Sequence, residues 1–248
     1  MIDIRVLTIF PNIFESFLAY GNPARSIQMG LVNVEAIDLR QFADGARRTT
    51  DDYPYGGGIG MVMKPEPIVR GIQHVKSVSG EVHVILLTPQ GRQLTQKILG
   101  ELSDKRSLLL ICGRYEGIDE RVRFFVDDEI SIGDYVLSGG ETAATVLIDG
   151  IVRLVPGVLG TDSRIGGESF YDGLLEYPQY TRPREFNGLE VPNILLEGNH
   201  EKIRVWRRKM SLLKTMKHRP DLLKAIKINT ELKQLLIEIE SEYLVNLE

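Results

Sequence analysis

Two runs in this chain, Val84-Ile85-Leu86-Leu87 and Leu108-Leu109-Leu110-Ile111-Cys112, are apolar at every position. A strand with one face in water alternates apolar and polar residues, so runs like these belong to strands buried on both faces. Both fall far short of the roughly 20 residues that a membrane helix needs. Strand-like segments at 2–9, 32–39, 81–88 and 107–112 alternate with helix-like ones at 12–20, 23–29, 65–76, 94–102 and 119–126. Within 65–76, Ile68, Ile72 and Val75 share one face. That alternation predicts an α/β fold with a mainly parallel sheet covered on both sides.

Ligands of such sheets gather at the carboxyl ends of the strands. Three stretches lie there. Thr88-Pro89-Gln90-Gly91 reads as a turn closing one strand, and Gly113-Arg114-Tyr115-Glu116-Gly117 follows another. The third is Ile132-Gly133-Asp134-Tyr135-Val136-Leu137-Ser138-Gly139-Gly140-Glu141, which reads as a strand broken at Gly133 and running into a helix. Ser138 and Glu141 have capping-box spacing, which predicts a helix N-terminus at Ser138 with 142–154 continuing it. A helix start carries unpaired N–H groups, and flanking glycines let a ligand approach them closely. The three stretches are therefore expected to meet in one pocket. A further glycine cluster, Tyr55-Gly56-Gly57-Gly58-Ile59-Gly60-Met61, lacks the spacing of a dinucleotide fingerprint or a P-loop. It reads either as a mobile loop or as one that touches substrate.

Beyond 154 the pattern changes. Residues 160–173 are small, polar and glycine-rich, as in a linker or a lid, and 174–198 are punctuated by prolines without periodicity. From Asn199, a cap, the chain reads as helix, with Ile203, Trp206, Met210 and Leu213 and later Leu232, Leu235, Leu236 and Ile239 at helical spacing. The expected division is an α/β domain at 1–160, a flexible linker at 161–174 and a small helical domain at 175–248. Net charge is −4 overall, yet residues 199–219 alone carry eight basic side chains and one acidic one. A basic helix on an otherwise acidic chain points to a polyanion partner.

Met1-Ile2-Asp3-Ile4-Arg5 does not open a signal peptide, and 43% apolar with 26% charged residues is a soluble composition, so a cytoplasmic location without a membrane is expected. Cys112, the single cysteine, reads as a buried structural thiol. His74, His83, His200 and His218 are scattered, and no protein metal site is expected.

Several blocks go further together: Pro54 to Met61, Cys112-Gly113-Arg114-Tyr115-Glu116-Gly117 with Asp119-Glu120-Arg121, Ile132 to Glu141, Val155-Pro156-Gly157-Val158-Leu159-Gly160, Tyr180-Thr181-Arg182-Pro183 and Gly198-Asn199-His200. Over the whole length and in the same order they resemble the bacterial tRNA (guanine-N1)-methyltransferases of the TrmD type. The resemblance implies a SPOUT-type catalytic domain with a deep trefoil knot, which general chain-folding rules would argue against. It also implies a homodimer, S-adenosylmethionine as methyl donor, and methylation at N1 of guanosine 37, the nucleotide 3′ of the tRNA anticodon. By the same resemblance Gly113, Ile132, Gly133, Asp134, Tyr135, Val136, Leu137, Gly139 and Gly140 surround the donor. Tyr115 and Glu116 would lie at its rim, with Leu87 and Pro89 nearby.

Guanine N1 carries a proton, and removing it builds charge toward O6, so a base and a cation are needed. The family's base is an aspartate, and Glu168 stands at the matching position, with Asp162 and Asp172 as alternatives in the same stretch. Arg153 matches the cation, and Glu116 joins the catalytic set. The family is described as Mg²⁺-dependent, the ion either neutralising O6 or ordering the tRNA. Arg207, Arg208 and Lys209 would meet tRNA phosphates. Two other readings stay open: a SPOUT-scaffold tRNA-binding protein impaired by the change to glutamate, or a SPOUT enzyme acting on ribose or another RNA position.

Overall fold

The all-apolar runs occupy the middle of a five-stranded sheet. In the computed structural model, which describes residues 1–159, 167–224, 226 and 229–245, the strands are β1 (Ile2–Thr8), β2 (Val32–Asp38), β5 (His83–Gln93), β6 (Ser107–Cys112) and β7 (Asp128–Ser131). Their order is β2-β1-β6-β5-β7, and every pair is parallel. Two-residue strands β3 (Asp51–Asp52) and β4 (Val62–Met63) form a separate antiparallel pair. The helices are α1 (Ile13–Leu18), α2 (Gly21–Gln28), α3 (Pro65–Ser79), α4 (Gln96–Ser103) and α5 (Glu141–Leu154).

Successive residues of β6 face opposite sides, which is why its sequence cannot alternate. Leu108, Leu110 and Cys112 pack with Phe14 of α1, Ile98 and Leu102 of α4, and Ala144, Leu147, Ile148 and Ile151 of α5. Leu109 and Ile111 pack on the other side with Ile68, Ile72 and Val75 of α3. Each fully buried aliphatic side chain stabilises the fold by about 1.5–3 kcal/mol relative to exposure. The covered parallel sheet, the surrounding helices and a helical C-terminal region agree with the SPOUT-type α/β class expected above.

Four local expectations need correction. The 119–126 segment is a 3₁₀ turn, Glu120–Phe125, opened by Asp119, whose carboxylate accepts from the Arg121 N–H. Thr88 to Gly91 do not end their strand. β5 bulges there and resumes, with Arg92 and Gln93 pairing again with Ile130 and Ser131 of β7. Gly91 makes this second pairing feasible, because a Cβ on it would stand 2.4 Å from the Glu129 backbone. The third strand-end segment, 132–137, is loop, since pairing of β7 stops at Ser131 and the Ser131 hydroxyl donates to the Gly133 carbonyl instead. Finally, α5 starts at Glu141, with Gly140 as a cap that has no side chain to offer. Ser138 does not form the capping box because the Glu141 carboxylate turns inward to Thr8 and Arg114.

Residues Met1–Ser163 form one compact unit and Arg164–Glu248 another. In the second, a short hairpin of β8 (Glu185–Phe186) and β9 (Leu189–Glu190) precedes helices α6 (His200–His218), α7 (Pro220–Leu223) and α8 (Thr230–Val245). Asn199 caps α6, its side chain accepting from the Lys202 N–H at 3.1 Å. Leu212 of α6 packs with Leu232, Leu235 and Ile239 of α8, and Leu174 joins them at 1% exposure. No helix of the described residues is long and apolar enough to cross a membrane.

Candidate active site

A pocket of about 300 Å³ opens at the carboxyl ends of β5, β6 and β7 in the first unit. Its walls come from the bulge of β5, the loop after β6 and the loop between β7 and α5. Leu87, Pro89, Gly113, Tyr115, Glu116, Ile132, Gly133, Tyr135, Val136, Leu137, Gly139 and Gly140 all line it, and Asp134 does not. Its volume is at the lower end for small-molecule sites.

Two loops form this pocket by clasping each other. Arg114 and Gly139 make an antiparallel bridge, and the Gly140 N–H donates to the Gly113 carbonyl at 2.9 Å. A Cβ on Gly140 would lie 2.7 Å from the Cα of Cys112. That contact is to backbone and cannot be relieved by a rotamer change. Gly140→Ala is therefore expected to lose about 1–3 kcal/mol of stability by overpacking, measured by urea unfolding. Gly100→Ala, in α4 with nothing within 4 Å of a new Cβ, serves as the control and should be neutral or stabilising.

The clasp is locked by charge. Glu141, 1% exposed, accepts from the Thr8 hydroxyl at 2.7 Å and from Arg114 Nε at 2.9 Å. Arg114 also donates to the Ser138 carbonyl at 3.2 Å, and its guanidinium carbon sits 4.7 Å from the centre of the Phe10 ring. Thr8 and Arg114 were assigned no role from sequence, and Glu141 was read only as half of a capping box. The two charges do flank glycines in the strand-end loops, but nothing in the order of residues announces Thr8 as their partner.

The far side of the post-β6 loop docks on the 61–63 segment. The Glu116 N–H donates to the Met61 carbonyl at 3.0 Å, and Met63 N–H to Gly117 at 2.9 Å. The Glu116 side chain fills the space over Gly60, where a Cβ would meet its carboxylate at 2.5 Å. The glycine cluster thus supports the pocket's rim. Burial and the neighbouring Asp51 carboxylate raise the Tyr115 phenol above its ordinary pKa, and burial does the same to the Cys112 thiol. Cys112 is wholly enclosed in the sheet core.

Arg153 is not brought to this pocket. It stands in the last turn of α5, ten residues beyond Ala143 of the pocket lining, so about 15 Å of helix separates them. Glu168 belongs to the second unit. There the Phe170 N–H donates to the Leu174 carbonyl at 2.7 Å and the Glu176 N–H to the Ser169 hydroxyl at 2.9 Å, which folds 168–176 into a tied loop. Asp172 is engaged by Arg208 and by the Leu174 N–H. Asp162 lies outside the described residues. Among the described residues no group of three or more His, Cys, Asp or Glu converges as a metal site.

The basic helix is less free than its composition suggests. Arg204 pairs with Glu201 and Glu231, Arg208 with Asp172, and Arg219 with Asp221, while Lys209 also has a partner. Arg207, Lys214 and Lys217 are exposed and share one stripe of α6.

The family profile described as tRNA (Guanine-1)-methyltransferase TrmD matches residues 2–225. A protein of Dictyoglomus turgidum named tRNA (guanine-N(1)-)-methyltransferase is 53% identical over 98% of each chain. Its namesake in Thermosipho africanus is 58% identical over 88% of this chain and 89% of its own. A third, from Geobacillus kaustophilus, is 50% identical over 96% and 98%.

Proposed function

The chain belongs to the TrmD family of tRNA (guanine-1)-methyltransferases, and on that premise we propose that it methylates N1 of guanosine 37 in tRNA from S-adenosylmethionine. The observation that carries the reading on this chain is the clasped, glycine-bordered pocket at the strand ends. Its apolar walls, Leu87, Ile132 and Leu137, suit an adenine ring, and the glycine backbones of 113 and 139–140 leave room for close approach of polar groups. The Glu116 carboxylate at the rim suits a sulfonium cation, whereas Asp119 and Glu120, which also line the pocket, are paired with Arg121 and Arg123. When bound, the donor supplies an activated methyl that already carries its leaving group. Membership implies a trefoil knot in this domain.

In this reading Glu168 takes the N1 proton and Arg153 faces the charge that develops on O6. Because Arg153 stands about 15 Å along α5 from the pocket of its own chain, a homodimer in which a second copy supplies it is part of the proposal. Val136 at the pocket rim and Phe124 nearby in sequence, each 86% exposed, offer apolar surface for that second copy. Mg²⁺ enters as an ion accompanying the RNA, and the location as the cytoplasm.

Tritiated S-adenosylmethionine and a tRNA transcript with guanosine at position 37 test the reaction. Digestion to nucleosides should place the label in N1-methylguanosine; label on ribose or on another base, or no transfer, would overturn the reading. The stripe of α6 has its own test. Neutralising Arg207, Lys214 and Lys217 together should reduce the slope of log affinity for tRNA against log salt by about 2–3. An unchanged slope would remove this face from the RNA contact.

A further inference from the structure

The second unit holds a separate pocket, of about 370 Å³, between the 177–184 segment and the first turns of α6. Its lining combines Tyr177, Tyr180 and Trp206 with Arg182, Arg184 and Arg207, and among the described residues no acidic side chain lines it. The rings of Tyr180 and Trp206 are 6.5 Å apart and tilted by 50°, so they form two walls of a notch and do not fill it by stacking on each other. The Arg207 guanidinium lies over the Tyr177 ring, 4.7 Å from its centre, which fixes a planar cation at the pocket's edge. Arg184 is steadied by the Asn193 side chain. Aliphatic Ile203, Leu195 and Leu196 also line the pocket.

Aromatic walls with guanidinium groups and without carboxylates match one ligand chemistry, a flat heterocycle carrying a phosphate. We infer that this pocket binds one unpaired nucleotide of the tRNA substrate, its base against Trp206 and Tyr180 and its phosphate facing Arg182 and Arg207, away from the guanosine that is methylated. The inference rests on the proposed tRNA substrate and adds a second nucleotide subsite to it. Nucleobases stack on aromatic faces with little sequence preference, so the subsite reads strandedness and shape, not base identity. A double-helical stem cannot enter, because its bases are already stacked on one another. The pocket would therefore distinguish a looped-out nucleotide from the continuous stems on either side.

Trp206 is the chain's single tryptophan, so its emission reports on this pocket alone. The full-length protein is titrated with a single-stranded hexaribonucleotide, with the same hexamer annealed into a duplex, and with inorganic polyphosphate of equal charge. Saturable quenching by the single strand, absent with duplex and polyphosphate, is expected. Tyr180→Leu should weaken that binding about tenfold or more, whereas Tyr180→Phe, which keeps the ring, should bind as the parent does. Equal quenching by polyphosphate would reduce the site to a charge contact, and no quenching by any probe would end the inference. Affinity for S-adenosylmethionine, measured by calorimetry on Tyr180→Leu, should match the parent and shows that the first unit is intact, and parent-like far-ultraviolet circular dichroism with an unshifted Trp206 emission maximum shows that the second unit is folded. If methyl transfer to tRNA occurs without quenching of Trp206, the subsite alone fails. If single strands quench Trp206 but no tRNA is methylated, the functional reading fails and the pocket stands.

Discussion

Glu168→Gln is expected to slow methyl transfer by about 10²–10⁴ while leaving affinity for S-adenosylmethionine unchanged. Neutral guanine keeps a proton on N1, so attack on the methyl requires a group that accepts that proton as the bond forms. Glutamine has almost the shape of glutamate and cannot accept it. Of the three carboxylates in this part of the chain, Glu168 is the one at the position that matches the family's base, and Asp172 contacts Arg208 and the Leu174 N–H. Glu168 follows a glycine with a positive φ, Gly167, and begins a loop closed on itself by bonds at Ser169 and Phe170 and tied to α6 where the Leu175 N–H donates to the Thr215 hydroxyl at 2.9 Å. A carboxylate on a tied loop keeps its position better than one on a free strand of chain. The extra methylene of glutamate over aspartate is the remaining question, since a misplacement of about 1 Å can cost 10²-fold in rate. Glu168→Asp should accordingly keep activity within about that factor. Single-turnover rates with saturating tRNA, alongside calorimetric donor binding, separate chemistry from affinity. Retention of most activity by Glu168→Gln would transfer the role to another group.

The sheet was legible because its cause is local. A run such as Leu108 to Cys112 can be satisfied only by burial on both faces, and α3 shows its buried stripe in the spacing of Ile68, Ile72 and Val75. What could not be read was anything that depends on two distant segments sharing one space. Ser138 and Glu141 have the spacing of a cap, but the carboxylate found stronger partners in Thr8 and Arg114, and the helix began three residues later. Gly91 looks like a turn residue until the chain crosses close to Glu129, where the lack of a Cβ is needed for packing and not for bending. The basic count of α6 likewise overstated the free charge, because Glu201, Glu231, Asp172 and Asp221 lie outside the periodic reading of that helix or were not matched to its arginines. Of the three stretches expected at strand ends, the one after Cys112 is found as read, whereas 88–91 is a bulge inside β5 and 132–137 is loop, and the clasp through Arg114 and Gly139 belongs to the tertiary fold.

Arg114→Met is expected to destabilise the first unit by about 3–5 kcal/mol, because it strands a buried carboxylate. Glu141 is almost wholly enclosed, so loss of the guanidinium leaves its charge with the Thr8 hydroxyl and the α5 N-terminus. A helix N-terminus contributes up to about 2 kcal/mol to a partly buried anion, which is too little to replace a direct charge partner. Against a total stability of about 5–15 kcal/mol, the loss is large enough to read as a clear fall in the urea midpoint. Arg114→Lys keeps the charge but not the fork that reaches both Glu141 and the Ser138 carbonyl, so it should fall between parent and Arg114→Met. The double variant Arg114→Met with Glu141→Gln removes both charges and should recover much of the stability, which a double-mutant cycle expresses as a coupling energy. A single variant within about 1 kcal/mol of the parent, or a double variant that is simply additive, would show that the pair is not what holds the clasp. Donor affinity adds a second readout on the same proteins. The bridge between Arg114 and Gly139 sets the wall of the pocket, so the double variant should regain stability while still binding S-adenosylmethionine more weakly than the parent. Full recovery of both would mean that the ion pair stabilises the unit without shaping its site.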